Sequence, residues 1–434
     1  MKRPVILAEM QRAHVPVLKS LASRGYVIAT FSYLVPQADR TELEEAGRFL
    51  AVETLITDAD RLELRAVAAE RTGAVLAHLE QRPLTFDVPG VHISPAELTR
   101  ILCRSIEDWI LHSQLVLRAF DRLAEHSSVR GVLLSADYSR TQRVMAQWGR
   151  DRGIPTFHLT HGSNIGRRTG IYGEVFCDYI LIPGERGGED YVDACSTARL
   201  VVVGNAKWDV YAGLLPEKER LRAELRARFG LPSDGLIAFH AMTGAPPLTA
   251  AREELSIEAM LETFLAACAM VRTAGLHVLP LVKDRPTTPG AQQRRKGLRE
   301  TVVKIAARNG LDSVVYAMDE PVEPFLVASD VLVAADSNLV LEAALCGVVP
   351  INMWNIQNLL LGPYFGAEDG IPHVDGRNPA ALARTMYQVL TDQATRIRLL
   401  EGIGERLPYL LGPHDGESLR RAVECILDVI GAPA

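Results

Sequence analysis

The sequence predicts an α/β protein built from two open, doubly wound domains. Three observations lead to this fold class. Short β-rich runs alternate with amphipathic helical stretches, which is the pattern of a parallel sheet with helices on both faces. A second series of such units follows a highly charged segment around residue 220. The chain also has 434 residues, which is enough for roughly two or three domains.

Composition and charge exclude several classes of protein. Apolar residues make up 48% of the chain and charged residues 23%, which is ordinary for a globular protein. The 47 basic and 53 acidic residues give a net charge of −6, so we expect no nucleic-acid partner. No apolar stretch approaches the roughly 20 residues that span a bilayer, and the start turns acidic at Glu9, too early for a signal peptide. We therefore expect a soluble, cytoplasmic protein.

The first series of units is predicted to form an N-terminal domain over residues 1–205. A helical insertion at about 86–126 interrupts it, because a long helical pattern at 95–125 follows a Pro-Gly turn. The β-rich runs of this domain lie at 4–10, 26–34, 53–57, 131–135, 156–160, 179–183 and 200–203.

A charged linker at 206–232 joins this domain to a C-terminal domain at 233–412. The alternating charges of the linker are typical of a solvated helix with i,i+4 ion pairs. We expect a last helix, within 413–434, to pack back on the N-terminal domain. Two open α/β domains imply a cleft at the carboxyl ends of both sheets, where ligands bind. The β-rich runs of the C-terminal domain lie at 235–242, 277–282, 313–316, 331–334 and 349–352, and its helical stretches at 252–274, 292–309, 339–346 and 379–390.

Motifs for metals and common cofactors are weak or missing. No GxGxxG follows a strand, and neither a Walker A sequence nor HExxH occurs. Asp58-Ala59-Asp60 is a DxD triplet, which can hold a divalent metal, but its place between a strand and a helix favours a turn and helix cap. The six cysteines form no CxxC pair, which predicts buried thiols and neither a disulfide framework nor a zinc site.

One candidate catalytic residue follows the strand at 156–160, which ends in His161-Gly162. The glycine lets the backbone approach a ligand, and an imidazole at a strand end can act as a base or, when protonated, donate to a phosphate. The alternative is a turn histidine bonded to the backbone. His158, inside the strand, is a weaker candidate.

Two further strand ends carry groups suited to a phosphate. Lys283 and Arg285 follow a buried strand, and such cations suit an anion, although a salt bridge to Asp284 is the alternative. After another strand, Val203-Gly204-Asn205 leads to Lys207, which could reach an anion. A structural hinge is the better interpretation of that segment.

The most informative segment ends the strand at 331–334 with Asp336-Ser337-Asn338 and continues as a helix. The N-terminus of that helix would offer backbone N–H groups to an anion at Ser337 and Asn338. Glu342, one turn further on among apolar neighbours, needs a partner and could accept hydrogen bonds from a ribose diol. The alternative for Ser337 and Asn338 is an ordinary cap.

Together these segments resemble the GT-B glycosyltransferases, in which two Rossmann-like domains face a cleft. The likeness is to bacterial capsule, lipopolysaccharide and teichoic-acid enzymes, including Kdo transferases and CDP-glycerol glycerophosphotransferases. A "GIPT…HG" strand end matches at His161, and a "VKPHP"-like segment matches at Val282–Pro286 with Arg285 in place of its histidine. A "GN.K.D" segment and an "SD…DS…EA…G.P" block also match, at Gly204, Asn205, Lys207 and Asp209 and at Asp336, Ser337, Glu342, Ala343, Gly347 and Pro350.

The resemblance implies transfer of a sugar from a nucleotide-sugar donor to a hydroxyl acceptor, in bacterial surface glycan or glycoconjugate biosynthesis. The acceptor would be a glycan, a glycolipid or a small molecule on the N-terminal domain, and a lipid-linked acceptor would bring peripheral contact with the inner face of the membrane. No metal is required, because cations and N–H groups offset the leaving-group charge. The acceptor hydroxyl would be activated by His161, Asp137 or Glu9, where Asp137 and Glu9 follow strands near His161 and turn capping is the alternative. The donor would be held by Thr243, Gly244, Lys283, Arg285, Asp336, Ser337, Asn338 and Glu342.

Three other functions suit the same pattern. A UDP-N-acetylglucosamine 2-epimerase shares the Gly-Asn hinge and the helix-start glutamate, and it would release no glycosylated acceptor. A CDP-alditol phosphotransferase would move an alditol phosphate. A nucleotide-binding module without catalysis is disfavoured, because His161, Asp137 and Glu9 all remain as candidate bases.

Overall fold

The computed structural model describes residues 2–9, 14–81, 94–136, 139–160, 175–189, 191, 198–230, 232–242, 257–284, 289–318, 320–335, 337–354 and 369–432. These residues form two parallel sheets, of seven and six strands, with helices packed on their faces. The predicted α/β class with two doubly wound sheets is confirmed. No helix in these ranges is both long and apolar enough to cross a bilayer.

The N-terminal sheet has the strand order β3-β2-β1-β4-β5-β6-β7, and its strand pairs are parallel. The order reverses between β1 and β4, so the crevice of this sheet lies beyond the ends of these two strands. Its strands are β1 (Arg3–Glu9), β2 (Val27–Thr30), β3 (Phe49–Ala51), β4 (Ser127–Leu134), β5 (Thr156–Leu159), β6 (Tyr179–Ile182) and β7 (Arg199–Val202). Its helices are α1 (Val15–Ser23), α2 (Gln37–Glu45), α3 (Asp58–Gln81), α4 (Pro95–His126), α5 (Arg140–Asp151) and α6 (Glu185–Glu189).

The C-terminal sheet has the order β10-β9-β8-β11-β12-β13, and it reverses between β8 and β11. The central strands are buried on both faces, which explains their continuous apolar sequences. The six strands of this sheet are β8 (Leu236–Ala241), β9 (Val278–Lys283), β10 (Val315–Ala317), β11 (Val331–Ala334), β12 (Val349–Trp354) and β13 (His373–Asp375). The helices that follow β7 along the chain are α7 (Val210–Leu214), α8 (Lys218–Phe229), α9 (Ile257–Thr273), α10 (Pro289–Arg308), α11 (Glu323–Ala328), α12 (Leu339–Leu345), α13 (Pro379–Thr391), α14 (Gln393–Leu411) and α15 (Ser418–Ile430). The last of them, α15, packs on the N-terminal sheet.

The third strand differs from the sequence-based prediction. The predicted run at 53–57 is not a strand: β3 precedes it, and Val52–Leu55 forms a 3₁₀ turn. The carboxylate of Glu53 accepts hydrogen bonds from the backbone N–H and the hydroxyl of Ser32, which fixes this turn beside the carboxyl end of β2. A tertiary contact therefore overrides the β propensity of this segment.

The insertion predicted at about 86–126 corresponds to α4, which packs against α3, and its residues 86–93 lie outside the described residues. A capping box between Ser94 and Glu97 begins α4.

In the DxD triplet, Asp60 accepts from Thr57 and pairs with Arg118 and Arg122. The hydrogen bonds from Thr57, and then the guanidinium of Arg122, hold the pKa of the Asp60 carboxyl well below its usual range. The second aspartate of the triplet is thus an ion-pair and helix-start residue.

The chain passes between the two sheets twice, and the passages touch each other. Residues 203–209 lead out of β7, and Gly204 (φ +81°) lies so close to Ser418 that an added Cβ would be 2.3 Å from its hydroxyl oxygen. Both carboxylate oxygens of Asp209 accept from the backbone N–H groups of Ser418 and Leu419, at 3.0 and 2.7 Å. Helix α15 then packs Val423 and its apolar neighbours into the core around β1 and α1.

Candidate functional site

Glu9 ends β1, at the point where the strand order of the N-terminal sheet reverses. Ser135 directly follows β4, and its backbone N–H donates to the carbonyl oxygen of Glu9 at 2.9 Å. The Ser135 hydroxyl lies 3.4 Å from the Glu9 carboxylate, and the side-chain amide of Gln142 donates to the same carboxylate oxygen. The topology thus places a half-buried carboxylate where open α/β sheets bind ligands.

The electrostatics of Glu9 suit proton transfer. Burial raises the pKa of the Glu9 carboxyl above its ordinary value of 4.5, against the opposing hydrogen bonds from Gln142 and Ser135. A carboxylate with a raised pKa is a better base at neutral pH, because its proton affinity lies nearer to the working pH.

Gln142 is the residue of this site that sequence reasoning missed. It occupies the third position of α5, and it forms a capping box with Ser139. Its side-chain oxygen accepts from the Ser139 backbone N–H, which leaves its NH₂ group to donate to Glu9 and to Ser135. The Ser-x-x-Gln pattern was a visible signal of a helix start, but it does not reveal that the amide faces β1.

The other two candidate bases, Asp137 and His161, lie outside the described residues. The strands before them are described: β4 pairs with β1 on one side and with β5 on the other. In the sequence, Asp137 follows β4 and His161 follows β5, and these are the next two strands of the sheet after β1. His158, within β5, is fully buried, and its ring packs edge-on against Tyr191, as expected for a packing residue.

In the C-terminal sheet, Lys283 ends β9 and is buried, with 4% of its surface exposed. Its ammonium group donates to the backbone carbonyl oxygens of Asp284, at 2.8 Å, and Met318, at 2.6 Å. A cation is therefore present at the carboxyl edge of this sheet, held by two backbone carbonyl oxygens. Arg285, Thr243 and Gly244, which were predicted beside it, lie outside the described residues.

Ser337 and Asn338 follow β11, beside the reversal point of the C-terminal sheet, and Asp336 lies outside the described residues. The first turn of α12 uses its own N–H groups: those of Leu339 to Glu342 donate to Ser337 and Asn338 at 2.9–3.4 Å. These four N–H groups are therefore used within the start of the helix, and the anion site predicted at Ser337 and Asn338 stays a prediction.

Glu342, one turn into α12, has 1% of its surface exposed. The ammonium group of Lys207 lies 3.0 Å from one carboxylate oxygen, and the phenol of Tyr211 donates to the other. Burial, followed by the charge of Glu342, raises the pKa of Tyr211 well above its ordinary value. Glu342 therefore has the partner that its apolar surroundings require, and a ribose diol would have to share or displace it.

The solved structures that are similar to this chain over nearly its whole length include the following three. A UDP-GlcNAc 2-epimerase from Neisseria meningitidis, bound to UDP-GlcNAc, has a TM-score of 0.56 at 11% identity, covering 99% of this chain and 100% of that chain. A glycosyltransferase from Rickettsia africae has 0.54 at 12% identity, covering 99% of both chains. A variant of the wall teichoic acid polymerase TagF, soaked with CDPG, has 0.50 at 11% identity, covering 99% and 89%.

The fold is of the GT-B type. This GT-B chain matches no family model, and no curated protein matches it in sequence. At 11–12% identity the similarity to solved structures establishes the fold, as the sequence resemblance implied.

The two halves of the GT-B fold contribute different chemistry to their carboxyl edges. The N-terminal half supplies the Glu9 carboxylate, and the C-terminal half supplies a cation, Lys283, and the hydroxyl and amide of Ser337 and Asn338. Within the described ranges, no cluster of three or more His, Cys, Asp or Glu side chains is placed to hold a metal ion.

Proposed function

We propose that this protein is a metal-independent glycosyltransferase that moves a sugar from a nucleotide-sugar donor to a hydroxyl acceptor. The biological setting we propose is bacterial surface glycan or glycoconjugate biosynthesis. The observation that carries the proposal is the Glu9 carboxylate, which burial makes more basic, at the reversal point of one sheet of a GT-B fold.

In the proposed reaction, the donor lies against the C-terminal sheet and the acceptor against the N-terminal sheet. A base on the N-terminal side, Glu9, Asp137 or His161, takes the proton of the acceptor hydroxyl. The hydroxyl oxygen then forms a bond to the anomeric carbon, and the bond from that carbon to the phosphate oxygen breaks. Lys283, Arg285, Ser337 and Asn338 would stabilise the charge on the departing phosphate. Thr243, Gly244, Asp336 and Glu342 would hold the rest of the nucleotide.

Two other activities have structural relatives in their favour. The epimerase from Neisseria meningitidis has a TM-score of 0.56, against 0.54 for the glycosyltransferase from Rickettsia africae. The TagF polymerase supports transfer of an alditol phosphate from a CDP-linked donor. The three reactions differ in their products, so product analysis can distinguish them.

The first experiment is a thermal-shift panel of UDP-, GDP-, CMP-, CDP- and dTDP-linked donors. A ligand at about 100 times its dissociation constant adds about 2.7 kcal/mol of stability. The stabilising donor is then incubated with and without acceptor glycans, and the products are separated. Nucleotide release that requires an acceptor supports glycosyl transfer, and an isomerised nucleotide sugar formed without acceptor supports the epimerase. CMP released from CDP-glycerol supports the phosphotransferase.

A further inference from the structure

Helix α4 and the start of α5 line an open surface cavity of about 460 Å³. This volume is within the range of roughly 300–1,000 Å³ that small-molecule sites occupy. Its lining includes two leucines of α4 and five residues with polar or aromatic groups: Ser105, Asp108, Trp109, His112 and Arg140.

The cavity lies level with the carboxyl edge of the N-terminal sheet. Helix α4 leads directly into β4, and the rise from Trp109 to the helix end at His126 is about 25 Å. The eight residues of β4 span about 26 Å in the opposite sense. Two contacts join the helix to the start of α5 at this level: His112 Nε2 lies 2.8 Å from Thr141 Oγ1, and Arg140 donates to the Asp108 carbonyl oxygen at 3.2 Å.

The side chains of the cavity combine an aromatic face with polar groups of both signs. Trp109 has 61% of its surface exposed, although tryptophan side chains usually bury a large apolar area. Asp108 and Arg140 carry opposite charges. Burial and the charge of Arg140 lower the pKa of His112, so its imidazole is neutral at pH 7. A strongly charged ligand would be repelled by either Asp108 or Arg140. A ring with an apolar face and many hydroxyl groups could stack on Trp109 and hydrogen bond to the polar side chains.

We propose that this cavity binds a saccharide unit of the acceptor. The Trp109 indole would stack on one face of the sugar ring, and Asp108, His112 and Arg140 would hydrogen bond to its hydroxyl groups. The inference rests on the proposed function, since it takes the acceptor to be a glycan. It is independent of the donor residues, all of which lie in the C-terminal half. A membrane anchor would need a basic rim beside its apolar residues, whereas the lining has one basic residue, Arg140, and one acidic residue, Asp108.

The test is binding of the full-length protein to an array of neutral, amino and acidic oligosaccharides, without donor. Wild type is compared with Trp109→Ala and with Ile101→Ala, a matched control on the same helix whose side chain is 52% exposed and outside the cavity lining. Both substitutions remove exposed side chains, so both variants are expected to fold, and melting temperatures check this. We expect wild type and Ile101→Ala to hold the same saccharides, and Trp109→Ala to bind them at least about 10-fold more weakly.

Three results would overturn the proposal. These are retention of no saccharide by the wild type, equal retention by Trp109→Ala, and a Trp109-dependent affinity for phosphatidylglycerol vesicles in place of saccharides. Donor binding in the thermal-shift panel is measured on the same three proteins. A wild type that binds a donor but retains no saccharide overturns the cavity assignment alone. Saccharide binding that depends on Trp109, in a protein that binds no donor, overturns the proposed transfer and supports the cavity.

Discussion

The ammonium nitrogen of Lys207 lies 3.0 Å from a carboxylate oxygen of Glu342, and the pair joins the segment after β7 to the second turn of α12. Tyr211 donates to the other oxygen, so each carboxylate oxygen has a partner from outside its own helix. The proposed ribose contact of Glu342 therefore has a competitor that is already in place, and the two roles can be separated by substituting each partner.

We expect Glu342→Ala to raise the donor dissociation constant about 10-fold or more, the scale of one lost hydrogen bond to a charged group of roughly 1.5–3 kcal/mol. Lys207→Met is the matched control, because it breaks the same ion pair and leaves the carboxylate to the ribose. That variant should melt earlier yet bind the donor within about 3-fold of wild type. Calorimetry with the stabilising donor measures both. Unchanged affinity in folded Glu342→Ala would leave the glutamate a purely structural role.

For Glu9, the substitution Glu9→Gln separates activity from stability. If Glu9 is the base, kcat should fall about 10²–10⁴-fold. The melting temperature at pH 7 should be unchanged or higher, because the buried carboxylate is charged there at a free-energy cost that the amide does not have. Glu53→Gln, in the 3₁₀ turn after β3, is the control and should keep kcat within about 3-fold.

The pH dependence of stability in wild type and Glu9→Gln tests the direction of the Glu9 pKa shift. Because the folded pKa of Glu9 is raised, the folded state binds more protons than the unfolded state between pH 4.5 and that raised value. Wild-type stability relative to Glu9→Gln should therefore fall as the pH rises through this interval. Urea unfolding at several pH values measures the difference, and an opposite slope would contradict the assigned burial.

His161 is the base that the family resemblance favours. We expect His161→Ala to lower kcat about 10²–10⁴-fold while the donor KM moves much less, since the other domain holds the nucleotide. A structural histidine would behave differently: the variant would melt earlier, and its folded fraction would turn over at the wild-type rate. That second pattern, with kcat and melting temperature measured on one preparation, would move the catalytic role to Glu9 or Asp137.

Transfer should proceed without a divalent metal. Lys283, Arg285 and the polar side chains after β11 offset phosphate charge in the proposed site, and Asp60 of the DxD triplet is engaged by two arginines. Turnover in about 5–10 mM EDTA, which is in excess over divalent metal, should equal turnover in Mg²⁺. Complete loss of activity in EDTA with recovery on Mn²⁺ or Mg²⁺ would refute this.

The burial of His240 predicts that the protein loses stability in acid. It is fully buried in β8, its Nδ1 lies 3.0 Å from the Val333 carbonyl oxygen, and burial lowers its pKa from 6.5 to about 4. The unfolded chain binds a proton below pH 6.5 that the folded chain does not, so His240 should destabilise the fold by up to about 3 kcal/mol as the pH falls from 6.5 to 4. His240→Phe should flatten this part of the stability curve, and an equal slope in both proteins would exclude His240 as its cause.

The sequence was informative wherever a feature is local. Apolar strands with polar ends locate most strands to within a few residues, and the helical pattern at 95–125 corresponds to α4. The run at 53–57 misled because Ser32 holds Glu53 in a turn. The three residues of β13 are too few to carry a periodic pattern.

The partners of the site residues required the fold. The apolar helix around Glu342 indicates that its carboxylate needs a partner, but Lys207 lies 135 positions away. Gln142 is likewise recognisable as a helix-start residue, while its contact with Glu9 depends on the pairing of β1 with β4. Long-range contacts of this kind leave no trace in local periodicity.

The contact between Gly204 and Ser418 has a mechanical consequence. A single peptide segment between two domains lets them swivel in any direction, whereas two segments in contact resist twisting and bend together. Opening and closing of this protein should therefore follow one arc, about an axis that crosses both segments. Any side chain at position 204 would wedge the segments apart, because a Cβ there would be 2.9 Å from that of Ser418. The geometry at which the two sheet edges meet would then change along the whole cleft.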